Sequence, residues 1–407
     1  MAVRRLRSES PVVRSAPIAT MPADLPFAVE TRAGEQETFG DGTPLFHVRV
    51  ADWAAWTRLT SLDAYHAGLA FIQGEFDVDG DLVGAIRTWQ QIHTTPSLAS
   101  AVTSVLPKFR VERFLQSKRR AQRNIQFHYD RSNAFYRAFL DRSLVYSCAY
   151  FADPSQSIDD AQAAKLDHIC RKLDLGQDDT FLDIGCGWGA LVARAAGAYD
   201  ARALGCTLST QQRDDAVRLL EERGLADRAR VELRDYRDVT GTFTKIASVG
   251  MVEHVGRRRL GQYFSVMAER LDPRGLFLNH GIVRPLGTRE DAATHFLQRR
   301  VFPGAELPHL EEMVHAAERA GFEVLDVENL RPHYALTCRA WVARLQANAA
   351  ACLEAVDPET YRTWLLYLAG SANNFEQGAS DIYQMLLAKR STAQVRHLRR
   401  EYMYAPR

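Results

Sequence analysis

The chain has 407 residues, a length that suggests two or three domains rather than one. Its 51 Lys and Arg residues nearly balance 50 Asp and Glu residues, for a formal net charge of +1, which argues against a dedicated nucleic-acid-binding protein. Hydrophobic residues make up 46% of the chain, which is typical of a globular protein, and no apolar run approaches the roughly 20 residues of a membrane-spanning helix.

Cysteine usage and the N-terminus bear on the cellular compartment. The six cysteines show no CxxC spacing, so neither a disulfide framework nor a structural zinc site is predicted. The first residues contain no continuous apolar segment of the kind found in secretory signals. We therefore expect a reducing, cytoplasmic location and no bound metal.

The N-terminal third divides into a leader and a small domain. Residues 1–35 combine Arg, Ser and Pro with little periodicity, which predicts a disordered tail. Residues 36–115 contain short apolar segments separated by turn signals, which predicts a small domain. The acidic segment 74–81 lacks the central Gly and distant Glu of an EF-hand loop, so we interpret it as a turn rather than a calcium site.

Two basic stretches stand out. Residues 108–123 contain seven Lys and Arg side chains with aromatic and apolar residues between them. This stretch is either a solvated linker or a contact for anionic phospholipid headgroups, with each basic side chain contributing on the order of 1 kcal/mol. Residues 391–407 are also basic and are predicted to form an exposed tail.

From residue 155 onward, helix and strand patterns alternate. Ser157 is placed to cap a helix, and residues 180–184 have the pattern of a buried strand. Further strands are predicted at 203–208, 230–235, 245–250, 275–279, 323–327 and 381–387. This alternation predicts an α/β domain over residues 116–390, with a mainly parallel sheet covered by helices on both faces.

The strongest local signal is the sequence D-I-G-C-G-W-G at residues 183–189, between a predicted strand and a helix beginning near Ala190. Ligands of open parallel sheets bind beyond the carboxyl ends of the strands, where glycines allow close approach of the backbone. A dinucleotide site expects G-x-G-x-x-G and an acidic residue about 20 residues later. Here the third glycine comes one position early and residues 205–209 contain no acid, so a dinucleotide is disfavoured.

The motif D-I-G-C-G-W-G is similar to the nucleotide-binding loop of S-adenosylmethionine-dependent methyltransferases. Other segments resemble the cyclopropane-fatty-acyl-phospholipid synthase family, which includes the mycolic acid cyclopropane synthases. These segments are H-Y-D at 128–130, S-N at 132–133, F-Y at 135–136, L-V-Y-S-C-A-Y-F at 144–151, T-L-S-x-x-Q at 207–212, G-M-V-E-H-V-G at 250–256, F-P-G at 302–304, H-Y at 333–334 and D-I-Y-Q at 381–384. The resemblance covers residues 125–388, and a weaker one at 39–42 and 77–81 covers the N-terminal domain of the phospholipid-acting members.

The resemblance implies a Rossmann-like class I methyltransferase with a small N-terminal lipid-binding domain. The implied reaction transfers a methylene group from S-adenosylmethionine to cis double bonds of unsaturated acyl chains in membrane phospholipids, forming cyclopropane fatty acids. The enzyme is expected to associate reversibly with the inner face of the membrane, and homodimers occur in the family. The alternatives are a lipid methyltransferase that makes a methyl-branched or methylene fatty acid, an amine methyltransferase, and a catalytically silent lipid-binding protein.

The resemblance also implies residues that contact S-adenosylmethionine. They lie in the Y-S-C-A-Y segment, the glycine loop, the T-L-S-x-x-Q element and the segment after a later strand. The predicted cofactor-binding residues are Tyr146, Ser147, Asp183, Gly185, Cys186, Gly187, Thr207, Gln212, Asp235, Tyr236 and Arg237. For the last three, an ordinary loop is the alternative interpretation.

Methyl transfer to an isolated alkene generates a carbocation, and a base must remove a proton from the added methyl before a ring can close. In the resembling family this base is a bound bicarbonate ion. Its implied ligands are Cys148, Glu253, His280, Ile282 and Tyr334. Tyr hydroxyl, His N–H and backbone N–H groups can donate to an anion, whereas Glu253 fits only by accepting a hydrogen from it. Taken singly, Glu253 would be read as a helix cap and His280 as a core histidine.

Three departures from the family pattern lie near these positions. Val252 replaces an aromatic residue before Glu253, and N-H-G-I at 279–282 replaces L-H-T-I. Asn374, Glu376 and Gln377 stand where arginines are common. These changes leave the five predicted anion ligands intact and bear on the acyl tunnel and the headgroup preference.

Overall fold

The computed structural model describes residues 25–94, 133–288, 301, 306–390 and 397–404. The chain forms two compact units, residues 1–111 and 112–407. No helix within the described residues is long and apolar enough to cross a membrane.

Several predicted features lie outside the described residues. They are the basic stretch 108–123, the H-Y-D motif at 128–130, the F-P-G motif at 302–304 and most of the basic tail 391–407.

The described part of the first unit is a four-stranded sheet with three helices. Its strands are β1 (Phe27–Thr31), β2 (Gln36–Phe39), β3 (Phe46–Val50) and β4 (Asp77–Gly80). They lie in the order β2-β1-β3-β4, with β1 parallel to β3 and the other pairs antiparallel. The helices are α1 (Trp53–Ser61), α2 (Ala64–Ile72) and α3 (Leu82–Thr94).

An aromatic cluster holds this small unit together. The ring of Phe27 stacks on Phe39 and on Phe46, with centroids 5.0 and 5.1 Å apart, and packs beside Trp56. The expectation of a disordered leader over residues 1–35 is therefore wrong at its C-terminal end. Phe27–Thr31 form a largely buried strand. Five residues, flanked by prolines and arginines, are too few to show the alternating pattern of a strand in the sequence.

The acidic segment 74–81 also differs from its prediction as a turn. Its second half forms β4, paired with β3, and Asp79 forms an ion pair with Arg49 at 2.6 Å. Gly80 has a φ of +93°, and a Cβ there would lie 2.6 Å from the Leu45 carbonyl oxygen. Only glycine fits this conformation without strain.

The second unit contains a seven-stranded sheet in the order β10-β11-β9-β8-β5-β6-β7. The strands are β5 (Thr180–Ile184), β6 (Arg202–Thr207), β7 (Ala229–Leu233), β8 (Phe243–Val249), β9 (Leu271–Val283), β10 (Phe322–Asn329) and β11 (Asp381–Lys389). The central pairs are parallel, and β11 lies antiparallel to both β9 and β10. All seven strands predicted in this domain are present, and the α/β prediction is confirmed.

Helices cover both faces of this sheet. They are α4 (Asn133–Phe139), α5 (Ile158–Lys172), α6 (Ala190–Ala198), α7 (Thr210–Glu222), α8 (Leu260–Arg270), α9 (Leu310–Arg319), α10 (Arg331–Ala347), α11 (Ala349–Ala355), α12 (Pro358–Gln377) and α13 (Glu401–Tyr404). Alternate residues of β5 face opposite cores: Phe181 packs on the side of α5 and α6, whereas Leu182 packs on the side of α8.

The start of α5 follows its sequence signal. The Asp160 N–H donates to Ser157 Oγ at 3.1 Å, as expected of an N-cap serine. The helix then buries Leu166 and Ile169 against the sheet.

The same helix carries a buried charge cluster. Lys172, wholly buried, donates to Asp326 at 3.0 Å and lies 2.6 Å from Glu328, both on β10. His168 Nε2 lies 2.7 Å from Glu328. Burial raises the pKa of Glu328, but the hydrogen bond with His168 and the charge of Lys172 outweigh it and lower the pKa to about 2. This cluster ties α5 to the edge of the sheet.

Replacing Lys172 by Met removes the buried cation that Asp326 and Glu328 share, and leaves them only Arg400 and His168 as partners. We expect the free energy of unfolding to fall by about 3–5 kcal/mol, as for other broken buried ion pairs. Urea titration followed by circular dichroism measures this change. Arg223→Met, at an exposed position after α7, is the control and should change stability little. Equal stability of the two variants would contradict the structural role of the cluster.

Candidate active site

The glycine loop leaves β5 at the centre of the sheet. Gly185, Gly187 and Gly189 have φ values of +73°, +53° and +82°, which L side chains rarely adopt. The N–H groups of Gly185 and Cys186 both donate to the carbonyl of Cys206 on β6, at 2.9 and 3.0 Å. The loop is thus pinned to the neighbouring strand.

Asn133, from the predicted S-N element, braces the same loop from outside. Its side-chain oxygen accepts the indole N–H of Trp188 at 3.2 Å. Its amide nitrogen donates to Asp215 on α7 at 2.5 Å. Asn133 therefore contacts the glycine loop in the folded protein, although it lies 50 residues earlier in the sequence.

A cavity opens beyond the carboxyl ends of β5, β6 and β8. All eleven predicted cofactor-binding residues line it. It is also lined by residues that were not predicted, among them Lys165, Trp188, Leu208, Met251, His254 and Arg259. Parallel strands end at one edge of the sheet, which is why residues so far apart in sequence meet there.

The far wall of the cavity is an ion-paired loop. Asp235 accepts from Arg237 Nε and Nη2, at 2.7 and 2.5 Å, and also caps the short 3₁₀ helix Tyr236–Asp238. The Arg237 guanidinium lies 5.5 Å from the centre of the Tyr236 ring. Residues 235–237 therefore form a loop that is hydrogen-bonded within itself and that also lines the cavity, where Tyr236 contributes an aromatic ring.

Lys165 and Asp183 are two buried titratable residues in the lining of the cavity. Lys165 Nζ donates to Ser147 Oγ at 3.0 Å. Burial lowers the pKa of Lys165 to about 8, against the attraction of nearby carboxylates. Burial raises the pKa of Asp183 to about 7, and the charge of Lys165 opposes this rise. Lys165 lies four residues after Ala161, on the face of α5 that carries the apolar residues. A charged residue on that face is the sequence signal that could have identified it.

A series of packed aromatic rings extends from the cavity into the protein. Tyr146 packs between Tyr136 and Trp341, with centroids 5.6 and 5.1 Å away. Tyr136 contacts Trp188 at 5.2 Å, and Trp341 contacts Tyr334 at 6.1 Å. This path connects the glycine loop to a predicted catalytic residue, and its ring faces can stabilise a nearby cation.

The five predicted catalytic residues lie next to this cavity rather than in its lining. Glu253 follows β8 in the short helix Val252–His254 and is nearly buried. Its Oε1 accepts the backbone N–H of Ile282 at 2.7 Å, while its Oε2 has no hydrogen-bond partner among the described residues. Burial raises the pKa of Glu253 to about 7, and the hydrogen bond from Ile282 opposes this rise.

His280 lies on β9, two residues before Ile282, and is fully buried. Its Nδ1 lies 3.1 Å from the side-chain nitrogen of Gln384, and its Nε2 has no partner among the described residues. Burial, followed by the positive charges of Lys165 and Lys172, lowers the pKa of His280 to about 3. Gln384, the last residue of the D-I-Y-Q segment, was not among the predicted site residues.

The Cys148 side chain lies beside the start of α10, the helix that carries Tyr334. The Cys148 thiol donates to the carbonyls of Ala149 and Leu330, so its side chain is turned towards backbone acceptors. Burial raises the pKa of the Tyr334 hydroxyl well above its usual value.

Two of the departures from the family pattern contact each other. A Cβ added to Gly281 would overlap Cγ1 of Val252, the residue before Glu253. In the third departure, at residues 374–377, Glu376 forms an internal ion pair with Arg339 at 3.1 Å. None of the three alters the contacts of Glu253 or His280.

The sequence of the chain matches one known protein family. The family model described as "Mycolic acid cyclopropane synthetase" matches residues 116–385. The chain belongs to this family. It is an S-adenosylmethionine-dependent methyltransferase of the cyclopropane synthase type, as the sequence motifs predicted.

Curated relatives differ in how much of the chain they match. A "Probable fatty acid methyltransferase" of Pseudomonas putida is 38% identical and covers 92% of this chain and 94% of that protein. "Cyclopropane mycolic acid synthase 3" of Mycobacterium tuberculosis is 36% identical and covers 65% of this chain and 96% of that protein. The first match therefore includes the small N-terminal unit.

A solved structure supports the same assignment. The mycolic acid cyclopropane synthase CmaA1, complexed with SAH and CTAB, superposes with a TM-score of 0.63 at 34% identity, over 66% of this chain and 98% of that one.

The cavity supports a test with paired glycines. Gly187 and Gly224 both have positive φ, and a Cβ on either would meet no atom within 4 Å, but Gly187 lines the cavity while Gly224 lies in an exposed turn. Gly187→Ala and Gly224→Ala should lose similar stability, about 1–2 kcal/mol, from the left-handed backbone. Isothermal titration calorimetry should show S-adenosylhomocysteine binding weakened about tenfold or more in Gly187→Ala alone. Equal affinities would exclude the loop as the binding site.

Proposed function

We propose that this enzyme transfers a methylene group from S-adenosylmethionine to cis double bonds of unsaturated acyl chains in membrane phospholipids, forming cyclopropane rings with bicarbonate as the base. The observation that carries the proposal is that two buried polar atoms near the cavity, Glu253 Oε2 and His280 Nε2, have no hydrogen-bond partner among the described residues. Buried polar atoms normally have partners, so these two favour a small polar species that contacts both of them.

The chemistry demands a dry site with a proton acceptor. Alkene electrons attack the sulfonium methyl, the C–S bond breaks, and S-adenosylhomocysteine and a carbocation remain. Removal of a proton from the new methyl releases the C–H electron pair, which closes the ring. Water would trap the cation, and the packed rings of Tyr146, Trp341 and Tyr334 would both limit water and stabilise positive charge.

The donor set fits bicarbonate. The neutral His280 ring and the Tyr334 hydroxyl supply hydrogen-bond donors, and an ionised Glu253 supplies an acceptor for the hydrogen that bicarbonate carries. Bicarbonate, when bound there, would supply the base that takes the methyl proton. The Ile282 N–H, expected as an anion donor, instead donates to Glu253 Oε1 and so holds this carboxyl in place.

Phospholipid as the substrate rests on the N-terminal unit. The mycobacterial synthases match only about two thirds of this chain, whereas the Pseudomonas putida relative extends across the small unit. We propose that this unit and the basic stretch 108–123 bring the enzyme reversibly to the inner membrane face, by burial of apolar surface and by attraction to anionic headgroups. A homodimer is part of the same proposal.

A second candidate keeps the donor and changes the product. The Pseudomonas putida relative carries the name "Probable fatty acid methyltransferase", which favours methyl transfer without ring closure. The first steps would be identical, and the cation would lose its proton from a neighbouring carbon instead of from the added methyl.

Product analysis separates these candidates. Purified enzyme, incubated with S-adenosylmethionine and vesicles of monounsaturated phospholipid, should yield acyl chains heavier by one CH₂. NMR should show cyclopropane protons and the loss of alkene protons. A CH₂ gain with the alkene retained would support the methyltransferase candidate. Unchanged lipid, with S-adenosylhomocysteine still bound by the protein, would overturn the proposed substrate.

The role of Glu253 predicts a pH dependence. Because its pKa is raised to about 7, the ionised acceptor form is lost as pH falls through 7 and gained as pH rises through it. At a fixed bicarbonate concentration, kcat should rise between about pH 6 and about pH 8. Glu253→Gln should lower kcat about 100-fold or more and abolish this limb while S-adenosylhomocysteine still binds.

Glu323→Gln, at an exposed position of β10, is the matched control and should retain both activity and the pH profile. A fully active Glu253→Gln enzyme would remove Glu253 from the mechanism.

A further inference from the structure

Gln384 is the neighbour of His280 across the sheet. The antiparallel register of β9 and β11 pairs the two residues directly, although 104 positions separate them. Both side chains are fully buried, and the Gln384 amide nitrogen lies 3.1 Å from His280 Nδ1. In this orientation of the amide, its N–H donates and Nδ1 presents its lone pair to the contact.

The contact with Gln384 determines which ring nitrogen of His280 carries the proton. A neutral histidine has one N–H and one bare nitrogen. Burial keeps this ring neutral, since the pKa of His280 is lowered to about 3. With Nδ1 bare, the proton resides on Nε2, the nitrogen that has no partner among the described residues.

We propose that Gln384 is a positioning residue that fixes His280 in the tautomer with its proton on Nε2, so that the ring offers an N–H donor to the anion of the reaction. The role rests on the proposed function, because an anion beside Glu253 needs a donor from His280. The opposite tautomer would present a lone pair to that anion and repel it.

The tautomer can be observed without substrate or bicarbonate. Protein with ¹⁵N-labelled histidine gives long-range ¹H–¹⁵N spectra in which the protonated and bare ring nitrogens resonate far apart. The signals of His280 among the 12 histidines are assigned by their loss in His280→Asn. The wild-type enzyme should show the proton on Nε2. A proton on Nδ1 would overturn the proposal, whatever the variants do.

Two substitutions then test whether Gln384 sets this tautomer. Gln384→Glu replaces the donor with a carboxylate, which should draw the proton to Nδ1. Gln384→Met keeps the volume without a donor and should populate both tautomers. Gln262→Glu, an exposed change of the same kind on α8, should leave the His280 signals unchanged. An unaltered Nε2 proton in both Gln384 variants would show that Gln384 does not position the ring.

Kinetics supply the second measurement. The half-saturating bicarbonate concentration should rise about tenfold or more in Gln384→Met, the loss expected for a hydrogen bond to a charged group, while the KM for S-adenosylmethionine stays unchanged. Loss of affinity for both would indicate a merely structural role and overturn the proposal. Absence of a bicarbonate dependence in the wild-type enzyme would contradict the proposed function, but the tautomer spectra would still decide whether Gln384 sets the ring.

Discussion

The pairing of β9 with its two neighbours is the constraint on which the site depends. On one side β9 runs parallel to β8, and the Gly250 N–H donates to the His280 carbonyl at 2.9 Å. On the other side it runs antiparallel to β11, which carries Gln384. A slip of one residue in either ladder would turn His280 to the opposite face of the sheet. The cavity and His280 are therefore held in register by backbone hydrogen bonds.

Burial gives this site its chemical character. The pKa values of Glu253 and Asp183 are raised and those of His280 and Lys165 are lowered, each towards the neutral form and each mainly through loss of solvation. The same exclusion of water that shifts these groups would also protect the carbocation of the proposed reaction. A partially charged carboxyl near neutral pH and a neutral imidazole are consequences of the dry environment that the reaction requires.

Local patterns were enough to predict the frame of the second unit. Ser157, the buried strands and the glycine loop each carry their signal within a few residues, and the common edge of parallel strands then brings the cofactor residues together. The partnership of His280 with Gln384 carries no local signal, because it depends on β11 inserting antiparallel beside β9. Lys165 was missed because a single lysine in an amphipathic helix is usually exposed, and β1 because five residues are too few to show a period.

The contact between Val252 and Gly281 has a consequence for how this site can change over generations. Val is stiff about χ1, so its methyl group cannot easily swing away from an incoming Cβ. Residue 281 can acquire a side chain only together with, or after, a change at residue 252. The two positions are therefore coupled, and a side chain at residue 281 is expected to require a compensating change at residue 252.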